Sequence, residues 1–384
     1  MKILMVSMNS IHFERWTNQL QDAGHEVHWF NIRDGSYSEN LSWVKQIIGW
    51  KYKYPKLKGR VFVKRRLPKL YKKLGFIFEN STEKAFESAL LKIRPDVVHS
   101  FALYVSCSPI LKVMNNYPEL QWIYSAWGSD LFYFQHEPSY LSDIKNVLPR
   151  VNYLFADCKR DVALAEKFGF KGRVLGIFPG GGGYPIEKYE PHVLSTSQRN
   201  LILIKGYQGR SGRAISVLKA IANLNSELRT YQFAIFGVNE EVENFIEREH
   251  GLRSLDLRIY KRSEFLNHFE LMKLMGQALI YIGNSNSDGM PNTLLEAIIM
   301  GAFPIQSNPG GATAEVINHG KNGLLIQDCE DDNQISKLIK MAVSDKKLME
   351  TAFKANQQMK GVFERSKIAN DVISKYNSIH QYSI

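Results

Sequence analysis

The sequence has little cysteine, no long apolar run and, over one stretch, no acid at all. Three cysteines, Cys107, Cys158 and Cys329, are scattered through 384 residues. An odd number without paired spacing indicates neither a disulfide framework nor a thiolate metal site, and a reducing, cytoplasmic setting fits. No stretch approaches the roughly 18 consecutive apolar residues that a spanning helix needs. The opening MKILMVSMNS has one lysine and no small-residue cleavage site, so it reads as a first β-strand rather than a secretory signal. A hydrophobic content of 44% with 23% charged residues excludes a disordered or collagenous chain. The length points to two domains.

Acid is missing where base is most concentrated. The formal net charge is +11, large enough to imply a partner of opposite sign. From Lys45 to Lys73 there are twelve Lys and Arg and no Asp or Glu. Within that segment Val63, Leu67, Leu70, Tyr71, Leu74, Ile77 and Phe78 fall at helical spacing, while Lys64, Arg65, Lys69, Lys72 and Lys73 cover the other side. Pro68 interrupts the pattern, which implies a kink or two shorter helices. A basic amphipathic helix with aromatics suits an anionic membrane surface; a helix packed on its own domain with a solvated basic face is the alternative. No nucleic-acid module accompanies the charge, so no nucleic-acid partner is expected.

The hydrophobic pattern alternates between strand and helix. Ile3–Ser7 reads as a strand, Met8–His12 as a polar loop, Trp16, Leu20 and Ala23 as a helix ending at Gly24, and His25–Phe30 as a second strand. The runs Pro95–Ser100 and Trp122–Ser125 continue the series. It breaks at Gly180–Gly183 and the polar stretch Tyr189–Asn200, where a linker is expected. It resumes at Leu201–Ile204, Phe233–Phe236, Ala278–Ile282, Phe303–Ile305 and Gly323–Ile326. The expected fold is α/β, with two tandem doubly wound, Rossmann-like domains facing each other across a cleft and ligands outside the carboxyl ends of the strands.

The most informative string is NSNSDGMPNTLLEAIIMGAFPIQSNPGGATAE, from Asn284 to Glu315. A helix is expected to begin at Pro291, with Leu294, Leu295, Ile298 and Ile299 as its buried stripe. The amides of Asn292 and Thr293 at its start make an anion site. Asp288 in the loop and Glu296 in the second turn can accept hydrogen bonds from a ribose diol or sugar hydroxyls. Diphosphate at a helix start with carboxylates on either side reads as a nucleotide-sugar site. Taken singly, Asp288 would be a loop solubiliser and Glu296 a surface helix residue. His12, in a loop after the first strand, faces the cleft on this reading; His99 is expected to be buried at a strand end, and Asp130 to cap the helix after Gly128-Ser129.

As a whole the string resembles the E-x7-E region of retaining glycosyltransferases of family 4, which have the GT-B fold. Asp288, Leu294-Leu295-Glu296-Ala297, Gly301-Ala302-Phe303-Pro304-Ile305, Gly310-Gly311 and Glu315 carry the match. The resemblance extends to Arg94-Pro95-Asp96-Val97-Val98-His99, to Trp127-Gly128-Ser129-Asp130 in the place of an H-G-S-D loop, and to Ile177-Phe178-Pro179-Gly180. Met8-Asn9-Ser10-Ile11-His12 with Arg15-Trp16 resembles an S-x-H-x-x-R-W variant. Lys205-Gly206 with Arg213 stands where the family has a basic pair for the donor diphosphate. The segment from Val362 through Tyr376 resembles a C-terminal helix that crosses back onto the first domain. Two departures stand out: Asp288 replaces a Glu, and Trp127 replaces a His.

The resemblance implies a retaining hexosyltransferase that moves sugar from a nucleotide-sugar, expected to be a UDP-sugar, to a glycan or lipid-linked acceptor in cell-surface polysaccharide biosynthesis (capsule, O-antigen, lipopolysaccharide or exopolysaccharide). Asp288, Arg213 and Lys205 would be catalytic. Glu296, Gly289, Met290, Pro291, Asn292, Thr293 and Arg210 would bind the donor, with Glu296 on the ribose. His12, Arg15, Trp127 and Asp130 would line the acceptor side. No cofactor and no metal are expected, cationic side chains doing the work of a divalent ion at the leaving phosphate. The expected domains are 1–190 for the acceptor and 191–362 for the donor, with 363–384 crossing back. A peripheral position on the inner face of the cell membrane follows if the basic segment binds lipid. The alternatives are a non-catalytic nucleotide-sugar-binding partner in a glycan-assembly complex and a nucleotide-sugar epimerase.

Overall fold

Parallel strands buried on both faces account for the near-continuous apolar runs of the sequence. A computed structural model describes residues 1–54, 60–264 and 266–379. Seven strands form one sheet: β1 (Lys2–Ser7), β2 (Glu26–Asn31), β3 (Lys45–Ile47), β4 (Val97–Phe101), β5 (Gln121–Ser125), β6 (Tyr153–Ala156) and β7 (Arg173–Ile177), in the order β3-β2-β1-β4-β5-β6-β7. Six form another: β8 (Leu201–Lys205), β9 (Gln232–Val238), β10 (Asp256–Lys261), β11 (Ala278–Gly283), β12 (Phe303–Ser307) and β13 (Leu324–Ile326), in the order β10-β9-β8-β11-β12-β13. Their pairings are parallel, in register Ile3↔Val97 at the centre of the first sheet and Ile282↔Ile204 at the centre of the second. All residues of β4, β6, β12 and β13 are buried.

The alternation in the sequence shows nine of these strands to within a few residues. It misses β3, β6, β7 and β10. Three of the four are edge strands, half exposed and therefore free to carry polar residues such as Lys45, Arg173, Asp256 and Arg258; β6 is only four residues long.

Backbone contacts divide the chain into two units. Unit 1 holds Met1–Asp157, Asp161–Gly182 and the chain from Asp371 on; unit 2 holds Cys158–Arg160 and Gly183–Asn370. In unit 1 the first helix spans Ile11–Asn18, with Ser10 Oγ accepting the Phe13 amide at 3.2 Å. The loop expected over Met8–His12 is therefore shorter, and His12 stands in the first helical turn. The helix stops at Asn18 instead of reaching Gly24, and a run of turns follows, with left-handed backbone at Asp22 (φ 65°) and Gly24 (φ 74°).

The interior of unit 1 contains a polar knot. His99, in the middle of β4 rather than at its end, is fully buried; its Nδ1 lies 2.5 Å from Tyr376 Oη and its Nε2 2.8 Å from Ser125 Oγ. Trp16 Nε1 donates to the same Tyr376 oxygen at 3.2 Å. With Trp16 donating to it, the Tyr376 hydroxyl gives its own proton to His99 Nδ1, so the proton of the neutral ring sits on Nε2 and goes to Ser125. Burial holds His99 neutral, well below the ordinary imidazole range, and raises the Tyr376 phenol.

The basic segment forms two helices, Arg60–Arg66 and Pro68–Phe78, separated where Pro68 forbids continuation. Residues 55–59 and the side chains of Lys64, Leu70, Lys72, Lys73 and Leu74 lie outside what is described. Of the apolar stripe, Tyr71 is buried, with its hydroxyl donating to Glu79 Oε1 at 2.7 Å. Val63, Leu67 and Ile77 are exposed, and so is Phe62 at 66%. The stripe is thus not packed away at these positions.

All six tryptophans lie between Trp16 and Trp127, so tryptophan fluorescence reports from unit 1. Tyr376→Phe removes the oxygen shared by His99 and Trp16 and should cost about 2–4 kcal/mol. The expected result is a lower urea midpoint by tryptophan fluorescence; an unchanged midpoint would show the knot to be dispensable.

Candidate functional site

In unit 2 the strand order reverses between neighbours β8 and β11, the position outside whose strand ends open α/β sheets bind ligands. The loops here are Gly206–Arg213 and Asn284–Pro291. They are bound to each other: the Arg213 amide donates to Asn284 O at 3.0 Å, the Asn286 amide to Ser211 O at 2.9 Å, and Asn284 Nδ2 to the carbonyls of Arg213 and Cys329 at 3.0 and 2.8 Å. Beneath them the Ser285 amide donates to Ser307 Oγ at 2.8 Å. Gly212 is fixed by packing, since a Cβ there would lie 2.1 Å from Tyr207 O. The Gly206–Arg213 segment is therefore a folded loop, not a free turn.

Lys205 ends β8 and is one-third exposed, its Nζ 3.8 Å from Asp288 Oδ2 on the facing loop. Asp288 Oδ1 accepts the Gly289 amide at 3.1 Å. Arg213 occupies the cap position of the helix Ala214–Asn223, and its Nη1 donates to Gly209 O and Gly212 O at 2.7 and 2.8 Å while Nε pairs with Glu330. The guanidinium thus braces its own loop and holds positive charge under it. Lys205, with a single ion-pair contact at 3.8 Å, is the less tethered of the two cations. Arg210 lies on the same loop, between the two glycines whose turn Arg213 fixes.

The helix after Asp288 spans Asn292–Ile299. Pro291 is its cap, with ψ 121°, rather than its first residue. Asn292 and Thr293 are the first helical residues, whose amides have no intrahelical acceptor. Met290 is buried, and the Thr293 hydroxyl receives the Tyr281 proton at 2.7 Å. Tyr184 Oη donates toward Asn292 O and Oδ1 at 3.2 and 3.1 Å. Glu296, one turn on, is 3% exposed, so it is not a surface helix residue. A carboxylate there needs a partner, and His268 supplies it: Nε2 lies 2.7 Å from Glu296 Oε1. His268 was not singled out from the sequence. It starts the helix His268–Gln277, capped by Asn267, and nothing in its neighbourhood marks a partner 28 positions away.

The acceptor-side candidates lie in unit 1. His12 and Trp127 are ring neighbours at 6.1 Å in an edge-on arrangement, and both are partly exposed. Arg15 follows one helical turn after His12. Asp130 is different. It lies inside the short helix Ser129–Phe132, whose cap is Gly128, so it is not the cap residue. Its Oδ2 accepts the Leu103 amide at 2.9 Å and the Tyr124 hydroxyl at 2.6 Å, and its Oδ1 accepts the Trp127 amide at 2.9 Å. Burial raises the Asp130 carboxyl, these bonds opposing it, and raises the Tyr124 phenol further beside that charge. Ala102, just before Leu103, has φ 61°, an uncommon conformation for alanine that the Asp130–Leu103 bond helps to hold.

Among the described residues one cluster, Asp157, Cys158 and Asp161, brings three metal-ligating atoms within 4.8 Å of one another. It follows β6 and is not part of the loops after β8 and β11.

Residues 186–359 match the family described as glycosyl transferases group 1. No curated protein sequence matches the chain. Among solved structures, the chain is similar to sucrose-phosphate synthase from Thermosynechococcus elongatus at 16% identity, covering 99% of each chain with a TM-score of 0.69. It is similar to HepE of Anabaena in complex with UDP and glucose at 12% identity, covering 98% of this chain and 99% of that one, TM-score 0.70. It is also similar to a glycosyltransferase from Rickettsia africae at 16% identity, covering 100% and 98%, TM-score 0.63. At these identities the likeness is one of fold, and the fold is GT-B.

Asp130→Ala leaves two buried donors and one part-buried donor without their acceptor and should cost on the order of 3 kcal/mol, a melting drop of roughly 6–12 °C. An unchanged melting temperature with weaker acceptor binding would instead assign Asp130 to ligand contact.

Proposed function

Starting from a chain whose residues 186–359 match group 1 glycosyl transferases and whose fold is GT-B, we propose that the protein moves a sugar from a UDP-sugar to a glycan or lipid-linked acceptor with retention of configuration, in the assembly of a cell-surface polysaccharide. The observation that carries this reading is the convergence, at the β8–β11 reversal, of a helix start, a one-third-exposed lysine and a buried carboxylate. Diphosphate takes the Asn292 and Thr293 amides and Lys205, with Arg213 and Arg210 adding positive charge from the neighbouring loop. The ribose diol donates to Glu296. Asp288 and the Gly289–Asn292 backbone face the transferred sugar.

Cleavage of the anomeric carbon–oxygen bond leaves charge on the β-phosphate, which fixed cations stabilise. The acceptor hydroxyl bonds to the anomeric carbon on the face the phosphate leaves, and its proton passes to the departing β-phosphate oxygen. No protein nucleophile and no metal take part in this scheme. Asp288 approaches Lys205 in the structure, so incoming diphosphate competes with Asp288 for that cation and frees Asp288 for sugar hydroxyls. His12, Arg15 and Trp127 offer a polar and aromatic surface for the acceptor.

Thermal shift against UDP-, GDP-, ADP- and dTDP-sugars tests the donor site. Ligand at a hundredfold over its dissociation constant stabilises the native state by about 2.7 kcal/mol. The UDP series alone should raise the melting temperature, with the shift reduced in Lys205→Ala and Glu296→Ala, and turnover should survive EDTA. A shift without transfer would favour a non-catalytic binding partner. Donor interconversion without acceptor would favour an epimerase. No shift at all would end the donor reading.

A membrane-proximal acceptor draws support from the exposed Phe62, Val63 and Leu67 set among exposed Arg65, Arg66 and Lys69. Vesicles containing anionic lipid should sediment the protein at low salt and release it as salt rises, and Phe62→Ser with Leu67→Ser should weaken this. A protein that stays in the supernatant at low salt removes the lipid from the proposal.

A further inference from the structure

Glu296 does not stand alone in its pocket. It is 3% exposed and its Oε1 meets His268 Nε2 at 2.7 Å, while the opposite nitrogen, Nδ1, lies 3.3 Å from Tyr189 Oη. A carboxylate only accepts, so Nε2 carries a proton and donates it to Glu296, while Nδ1 faces the Tyr189 hydroxyl on the other side. The imidazole is therefore bracketed between a tyrosine and a glutamate, and its backbone is fixed at the first position of a helix whose cap residue Asn267 accepts the Glu270 amide at 3.0 Å.

We propose that His268 is a positioning residue: by holding one oxygen of Glu296 it fixes the carboxylate for a vicinal diol and makes the site selective for ribonucleotides over their 2′- and 3′-deoxy forms. This rests on the reading that Glu296 faces the donor ribose. The chemistry is that of an oriented, acceptor-only group. A carboxylate free to rotate offers its lone pairs in many directions and loses orientational entropy on binding a diol. One pinned at a single oxygen has already lost that freedom, and its other lone pairs present a fixed pattern that a hydroxyl donor satisfies and a C–H does not. Removing the diol leaves a buried charge one donor short, whereas removing the histidine leaves the carboxylate able to turn. The two losses therefore have different signatures.

The test is calorimetric binding of UDP, 2′-deoxy-UDP and 3′-deoxy-UDP to wild type, Glu296→Gln, His268→Ala and His268→Gln, with steady-state kinetics on the corresponding UDP-sugar. Wild type should prefer UDP over at least one deoxy form by roughly tenfold or more, the worth of a hydrogen bond to a charged group. His268→Ala should compress that ratio to within about threefold and raise the donor KM while kcat changes little. His268→Gln, whose amide nitrogen reaches as far as the imidazole Nε2, should restore the ratio. His268→Asn, which keeps an amide toward Tyr189 but falls short of Glu296, should behave like the alanine variant and serves if that one does not fold. If His268→Ala keeps the wild-type ratio while Glu296→Gln loses it, the histidine is merely structural and the donor reading stands. If wild type does not bind UDP, or binds all three equally, the ribose assignment of Glu296 fails and takes this proposal with it.

Discussion

The parallel pairing of β8 with β11 is the contact on which the rest of unit 2 depends. Its register, Ile204 against Ile282, puts Lys205 and Gly283 at the same level, so the loops that follow emerge side by side. Their backbones then bind each other through Arg213, Asn284, Ser211 and Asn286. A slip of the pairing would move the lysine, the anion-binding helix start and the Asp288 loop out of reach of one another together. The chemistry proposed for this site is thus a property of strand register before it is a property of any side chain.

The same reasoning separates charges that act from charges that build. Arg213 spends Nη1 on two loop carbonyls and Nε on Glu330, and Asp130 accepts from three donors in unit 1. Sequence context points Arg213 toward the donor diphosphate and Asp130 toward the acceptor, and in the structure both also hold backbone in place. Lys205 and Asp288, one-third exposed and facing across 3.8 Å, keep the freedom that a substrate needs to exploit. Burial without freedom marks Glu296, whose orientation comes from His268.

Much of this was legible in the sequence because alternating apolar runs have few other physical readings. The central strands of both sheets and the two-unit plan follow from them, and Pro68 divides the basic segment into two helices. Three of the four edge strands were not legible, since a half-exposed strand such as Asp256–Lys261 mixes charge with apolar residues, whereas the fully buried edge strand Leu324–Ile326 was. The candidate site was legible where its residues are neighbours in sequence, from Asp288 to Glu296. It was not where the partner comes from a distant element: His268 beside Glu296, and Tyr376 beside His99 across 277 positions, depend on a fold that spacing alone does not encode.

The return of the chain to unit 1 sets an order of events during synthesis. The last strand of the first sheet, β7, ends at Ile177, yet Tyr376 belongs to the same unit and comes about two hundred residues later. At ribosomal speeds of about 5–20 residues per second that interval is roughly 10–40 s. Throughout it His99 and the Trp16 indole N–H are without the Tyr376 hydroxyl that partners them in the finished structure. The first half of the protein thus waits, incompletely closed, for the tail of the chain, and a nascent chain stopped before Tyr376 would leave both without that partner.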